Sequence, residues 1–585
     1  MPAFTSMSSL FDVMSNPSAR EIISSEIPEL ANNPLIHTLH RYPLGLILST
    51  EERLSTDEGL REQILKRILS VEAVADTEDP PTVTCSHPSG DYEPMSVATA
   101  SADIGYPASV AKWAVFELEL DGPDHGNPFT DVDLSVTFRS AGTFLKVPGF
   151  YDGGGRYRVR LLVPEAGSWN FNTSSNARSL DGHQGSFEAG DASTRGLVRV
   201  TEKFHFAYDD GTPYVPVGTT SYAWTHQGDA LEELTLQSLA DGPFNKLRMC
   251  VFPKSYLFNE NEPAIYPYQG SLEEGFDFLR PNPAFYSHLE RRIDQLDRLG
   301  VEADLILFHA YDRWGFSTMG PDADDLFVKY VVARLASRRN IWWSLANEYD
   351  LLYDKNGEDW ERFAAAITAG DPNGHLLSIH NCRQFYDHSR SWVTHCSIQK
   401  TDTYKTSEMT TEWRGLYGKP IVVDECGYEG NIDQGWGNIT GEETTRRFWE
   451  GAVRGGYIGH GETYVDPDDV LWWAKGGKLK GTSPDRIGFL RRVIEESPDG
   501  RLEPLPGPWD APVAGLENKY EIVYFGFSQP TYRRFVKPQN LNFEVDIIDT
   551  WKMTIETLPG QYSGRFRIDL PGRQFIALRL RAVTP

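Results

Sequence analysis

Between Tyr214 and Glu496, short apolar runs alternate with stretches of helical periodicity. No other feature constrains the fold as strongly. A parallel strand reaches its neighbour only through a crossover of a dozen or more residues, usually a helix. The runs are Tyr214–Thr219, Lys246–Phe252, Ala303–Phe308, Ile341–Leu345, Leu376–Ile379, Thr394–Ile398, Ile421–Asp424 and Tyr457–Gly459. Ala284–Leu299 is the clearest intervening helix, with Leu289, Ile293, Leu296 and Leu299 on one face. Ser483–Glu496 closes the series, with Ile487, Leu490 and Ile494 aligned. Eight such units in about 250 residues predict an α/β fold, a (β/α)8 TIM barrel spanning 201–500.

A chain of 585 residues needs more than one core. Residues 1–75 read as a helical lobe. Asn16-Pro17 gives a cap followed by proline, and Ser55-x-x-Glu58 fits a capping box. Leu60, Ile64, Leu65, Ile68 and Leu69 then form one apolar face, suited to docking or to homo-oligomerisation. Residues 76–94 are polar and proline-rich, a linker. Over 95–200 the period becomes two: Ala114, Phe116, Leu118 and Leu120, then Leu134, Val136 and Phe138, then Tyr157, Val159 and Leu161. This predicts an antiparallel β-sandwich. The same period returns over 501–585, in Phe543, Val545 and Ile547 and in Phe566, Ile568 and Leu570, and predicts a C-terminal all-β domain.

Net charge of −27 argues against nucleic acid as a partner. No apolar run approaches the length of a membrane span. The first twenty residues lack a basic start and an apolar core, which points to the cytoplasm, or to secretion where a leader has been removed. Five scattered cysteines read as reduced thiols. None of the 14 histidines forms His-x-His, so neither a catalytic metal nor another cofactor is expected.

Two of the apolar runs end in glutamate. Ile-Trp-Trp-Ser-Leu-Ala-Asn-Glu carries Asn347 and Glu348 at its carboxyl end, and Pro-Ile-Val-Val-Asp-Glu carries Glu425. In a parallel barrel that end gathers the functional residues. Glycosidic cleavage needs two carboxyl groups there, one to protonate the leaving oxygen and one to attack or stabilise the anomeric carbon.

Asn-Glu after the fourth strand and Glu after the seventh resembles the retaining glycoside hydrolases of clan A. The resemblance implies Glu348 as acid/base, Glu425 as nucleophile and Asn347 on the sugar 2-hydroxyl. It implies that Arg248, in Asn245-x-x-Arg248, hydrogen-bonds the nucleophile, that His309 lies near the sugar, and that Trp472 or Trp473 forms its floor. Tyr222, Trp224, Trp314 and Trp436 are further aromatic candidates on the same rim, and Glu462 is a candidate hydroxyl acceptor. The family usually has His or Tyr after strand six; Gln399, Asp402 and Tyr404 occupy that region here. Glu429 and Asp424 are rival carboxylates, Asp424 ranking lower because strand alternation turns it away from Glu425. The resulting expectation is a double-displacement hydrolase that takes terminal sugars from a carbohydrate substrate, of β-glycosidase or α-L-arabinofuranosidase type. The alternative is a non-catalytic carbohydrate-binding protein on the same scaffold.

Overall fold

The computed structural model describes residues 4–6, 8–14, 16–31, 36–39, 42–71, 90–465, 467 and 470–583. Its centre is a closed barrel of eight parallel strands: β1 (Gly218–Thr220), β2 (Lys246–Cys250), β3 (Glu302–His309), β4 (Ile341–Asn347), β5 (Leu376–Ser378), β6 (Cys396–Gln399), β7 (Ile421–Glu425) and β8 (Tyr457–His460). They pair in the order β5-β4-β3-β2-β1-β8-β7-β6. A parallel bridge from His380 to Ser397 joins β5 to β6 and closes the ring. Every residue of β3 and β4 is buried, as expected for strands covered on both faces.

The barrel interior is charged. Lys246 Nζ on β2 lies 2.5 Å from Asp304 on β3 and 2.9 Å from Asp424 on β7. β2 and β7 are not neighbours, so this contact crosses the barrel. Asp424 therefore points inward, and Ser397 Oγ also donates to it at 2.5 Å. Charges removed from water persist only when paired in this way.

The barrel floor carries an element that periodicity did not separate. Val198–Thr201, His205–Tyr208 and Pro213–Tyr214 form a small antiparallel sheet. It packs Val198, Phe206 and Tyr214 against Trp342, Leu376 and Val422, near the starts of β4, β5 and β7. The predicted first strand, Tyr214–Thr219, thus joined two elements: Tyr214 belongs to this floor sheet, and β1 begins at Gly218.

Eight strands between Ile104 and Ala192 surround a core that includes Phe116, Phe138, Trp169 and Phe187. Phe144–Tyr151 pairs first with Leu134–Arg139 and then with Arg156–Leu162, so one bent strand serves both halves. One pair, Ser109–Lys112 with Gln184–Ala192, is parallel, which departs from the purely antiparallel expectation. Buried charges tie this unit to the barrel helices: Arg160 reaches Glu290 at 2.7 Å, and Arg334 reaches Asp152 at 2.6 Å. At the other end a six-stranded sheet and a two-stranded pair form the C-terminal β unit.

The N-terminal residues form short helices around Leu10, Ile23, Leu44, Leu48, Ile64 and Ile68. Asn16 caps the second, accepting from Ala19 N at 3.1 Å. The capping box does not form. Ser55 lies inside helix Glu52–Thr56, and Asp57 caps the following helix by accepting from Leu60 N. Arg383 Nη1 donates to Ser9 Oγ at 2.9 Å, and Tyr353 packs on the lobe's core, so the lobe rests on the loops after β4 and β5. Residues 76–89 of the predicted linker lie outside the described residues. Among the described residues no helix is long and apolar enough to cross a membrane.

Candidate active site

At the carboxyl end of the strands, the loops line an open cavity of about 280 Å³. Asn347 and Glu348 reach it from the end of β4, and Glu425 from the end of β7. Both strands deliver a polar group as their apolar run ends, so burial of the strand fixes where the carboxylate emerges. Glu348 adopts a left-handed backbone conformation, φ 53° and ψ 55°. A non-glycine residue rarely takes this conformation, and such strain concentrates at functional sites.

Each carboxylate has its own phenol. Tyr311, from the loop after β3, donates to Glu348 Oε2. Tyr222, from the loop after β1, donates to Glu425 Oε1, and its hydroxyl also lies 3.0 Å from Asn347 Oδ1. Arg248 does not donate to Glu425. Its guanidinium reaches Asn347 Oδ1 at 3.2 Å, and Ser344 Oγ and Asp304 Oδ2 at 3.3 Å each. It therefore acts on Glu425 by its charge and by orienting the amide that flanks Tyr222, without a hydrogen bond of its own. His380, just past β5, places Nε2 3.9 Å from Glu425 Oε1, and burial holds its imidazole well below its ordinary value, hence neutral.

Burial and then the charge of Glu348 push Glu425 up to about 7. The Tyr222 hydrogen bond and the charges of Lys254 and Arg248 pull it the other way. The repulsion from Glu348 thus favours a protonated Glu425 in the free site. Trp436 and Trp473 form an aromatic wall, with ring centroids 5.0 Å apart.

The apiosidase-like catalytic domain family matches residues 201–486. A protein from Bacteroides vulgatus, assigned by inference as a glycoside hydrolase, is 38% identical. That match covers 82% of this chain and 100% of the other, with a TM-score of 0.78. This chain belongs to the glycoside hydrolases. A glycoside hydrolase family 5 protein from Bacteroides vulgatus shares the hydrolase's fold at 15% identity, over 66% of this chain and 94% of its own, with a TM-score of 0.52. Two flanking segments, 109–176 and 509–581, match domain families of unknown function, DUF5060 and DUF5605. No curated protein matches the chain.

Several residues singled out from the hydrolase's sequence do not line the cavity. Trp224 is wholly buried, its indole N–H directed at the Met249 sulfur. His309 is buried with Nε2 3.3 Å from the Phe252 carbonyl, and desolvation lowers it to about 3. Trp472 donates to Thr219 Oγ1 at 2.8 Å, and Trp314 to Glu262 at 2.9 Å. Glu462 accepts from Lys480 N and Gly481 N, which makes it a loop brace. Glu429 accepts from Thr482 N and Ser483 N at the start of helix Ser483–Glu495. Tyr404 is 91% exposed and stands clear of the lining. Tyr256, Cys382, Thr401 and Gln434, together with Tyr311 and Lys254, line the cavity without having been singled out from sequence as sugar contacts. Elsewhere Asp229, Glu232 and His288 lie close enough to share a cation, but Arg292 already pairs with both carboxylates.

Proposed function

We propose that the hydrolase is a retaining glycosidase in which Glu425 attacks the anomeric carbon and Glu348 protonates the departing oxygen. One observation carries this reading: two carboxylates, from the ends of β4 and β7, line a single cavity, each accepting a hydrogen bond from a tyrosine. Substrate entry excludes water and strengthens every charge interaction in the site. With substrate bound, the Tyr222 hydrogen bond and the charges of Lys254 and Arg248 oppose a proton on Glu425, so the proton moves to Glu348, where the leaving oxygen needs it. Glu425 then forms a covalent glycosyl ester as the aglycone departs with the proton. Glu348, now a base, takes a proton from water attacking the same face the aglycone left, and configuration is retained. Asn347 is placed for the 2-hydroxyl, and the Trp436–Trp473 wall for the sugar ring.

At about 280 Å³ the cavity lies at the low end of small-ligand pockets, which supports a reading in which a terminal sugar is removed. The sugar is tested with a panel of aryl glycosides: β-hexosides, β-xyloside, α-L-arabinofuranoside and, because the matching family is apiosidase-like, an apioside. Turnover of at least one, with the product's initial anomeric configuration retained by NMR, is expected. Sugar binding without turnover of any would favour a carbohydrate-binding protein instead.

A further inference from the structure

Lys254 is a cation of the cavity wall whose charge opposes the upward push on Glu425 and to which the proposed mechanism assigns no step. It follows β2, is 3% exposed, and lines the cavity with both glutamates. Its ammonium lies 3.5 Å from the centroid of the Tyr222 ring and 4.3 Å from that of Tyr311, with Trp473 at 4.9 Å. Among the described residues no carboxylate stands within 4.0 Å of it. The two nearest rings belong to the tyrosines that donate to Glu425 and Glu348. We propose that Lys254 is a positioning residue that holds the catalytic pair to one shared proton, by its charge and by polarising the two phenols that serve the pair. The proposal rests on Glu348 and Glu425 being that pair.

The physical basis has two parts. A cation over an aromatic face is attracted to the ring quadrupole, the more so when desolvated. That holds both rings in place and draws density from them, making each O–H a stronger donor. Burial lowers the lysine's own proton affinity, while Glu348 and Glu425 raise it, so the ammonium is also coupled directly to both carboxylates. Other titratable groups facing it are Cys250 and Arg248 on β2, Tyr256 on its own loop, and His309 at the end of β3. Burial keeps Cys250 a neutral thiol and His309 a neutral imidazole, and Arg248 is engaged by Asp304. The lysine is thus a cation coupled to both carboxylates. A positive neighbour favours a carboxylate anion, so its loss should raise the apparent values of the pair.

The test compares pH profiles of kcat and kcat/KM for wild type, Lys254→Met, Tyr222→Phe and the double variant, using the aryl glycoside found by the panel. Lys254→Gln serves if the Met variant does not fold. Both limbs should move upward by about one pH unit without Lys254, and the shift should be smaller in the Tyr222→Phe background because the two act through one contact. A carboxyl titration by 13C NMR of glutamate-labelled enzyme should move in the same direction without any substrate. Unmoved limbs, with the loss confined to KM, would overturn the proposal and make Lys254 a plain substrate contact. Glu348→Ala separates this from the underlying reading. Loss of its basic limb upholds the pair even if Lys254 fails, whereas an unchanged bell removes the pair and the proposal together.

Discussion

Glu425 shows what the site costs the fold. A carboxylate pushed up to about 7 by burial and by Glu348 is held in an environment that disfavours its anion. Its folded value lies above its unfolded value of about 4.3. Its contribution to stability is therefore fully present below the unfolded value and is lost as pH rises through about 7. Glu425→Gln, which cannot ionise, should melt about 1–3 °C above wild type at pH 8, with the gap narrowing toward pH 5. Calorimetry at the two pH values measures this, and a gap that widens on acidification would contradict it. Glu348 and Glu425 stand out in the sequence as carboxylates ending buried apolar runs, and both line the cavity. Tyr222, Trp436 and Trp473 were legible only as aromatic loop residues near that end. Tyr311 and Lys254 were not, since loop closure decides where their side chains point. Lys254 alone left a trace, a lone lysine directly after the apolar Cys-Val-Phe-Pro run that continues β2.

Among elements, the barrel strands were found because each buried run is bracketed by helical periodicity. The floor sheet was missed because its strands are four, four and two residues long and interrupted by polar turns. Its last residue, Tyr214, runs almost directly into β1. The same short-range ambiguity affected the acids after β7. Glu429 lies four residues beyond Glu425, but a two-residue pairing with Glu462–Thr463 turns it toward helix Ser483–Glu495. It holds the backbone N–H groups at that helix's start, where an anion also meets the positive end of the helix dipole. Glu429→Ala should lower unfolding free energy by about 1–2 kcal/mol while kcat changes less than about threefold. A loss of kcat of several orders of magnitude at unchanged stability would place Glu429 in the chemistry and count against Glu425.

On the scale of the molecule, the sandwich and barrel are joined by charge that is out of water. Glu290, on helix Pro283–Arg298, is buried between Arg160 of the sandwich and Arg334 and Arg338 of the barrel, and these three guanidiniums hold it down at about 2. Removing one member of such a cluster leaves the others uncompensated, at a cost of about 3–5 kcal/mol. Wild type should therefore show sandwich and barrel melting in one calorimetric transition. Glu290→Gln should lower that transition and split it in two. A single unshifted peak would mean that the two units are held by apolar packing alone. The period-two and period-3.6 segments marked these units in the sequence, but their mutual arrangement was not visible, because nothing local in Arg160 or Glu290 names its partner.

The central claim is that Glu425 is the nucleophile and Glu348 the acid/base, and azide rescue tests it most directly. Glu425→Gly opens space on the attacking face while Glu348 still protonates the leaving group, so azide there should yield a glycosyl azide of inverted configuration. Glu348→Ala retains the nucleophile, so an aryl glycoside with a good leaving group still glycosylates Glu425. Azide then enters from the opposite face and gives retained configuration. NMR of the two products reads the answer. Opposite configurations are the predicted result. The same configuration from both variants, or rescue of neither while an inactive Glu429→Ala is rescued, would contradict the account.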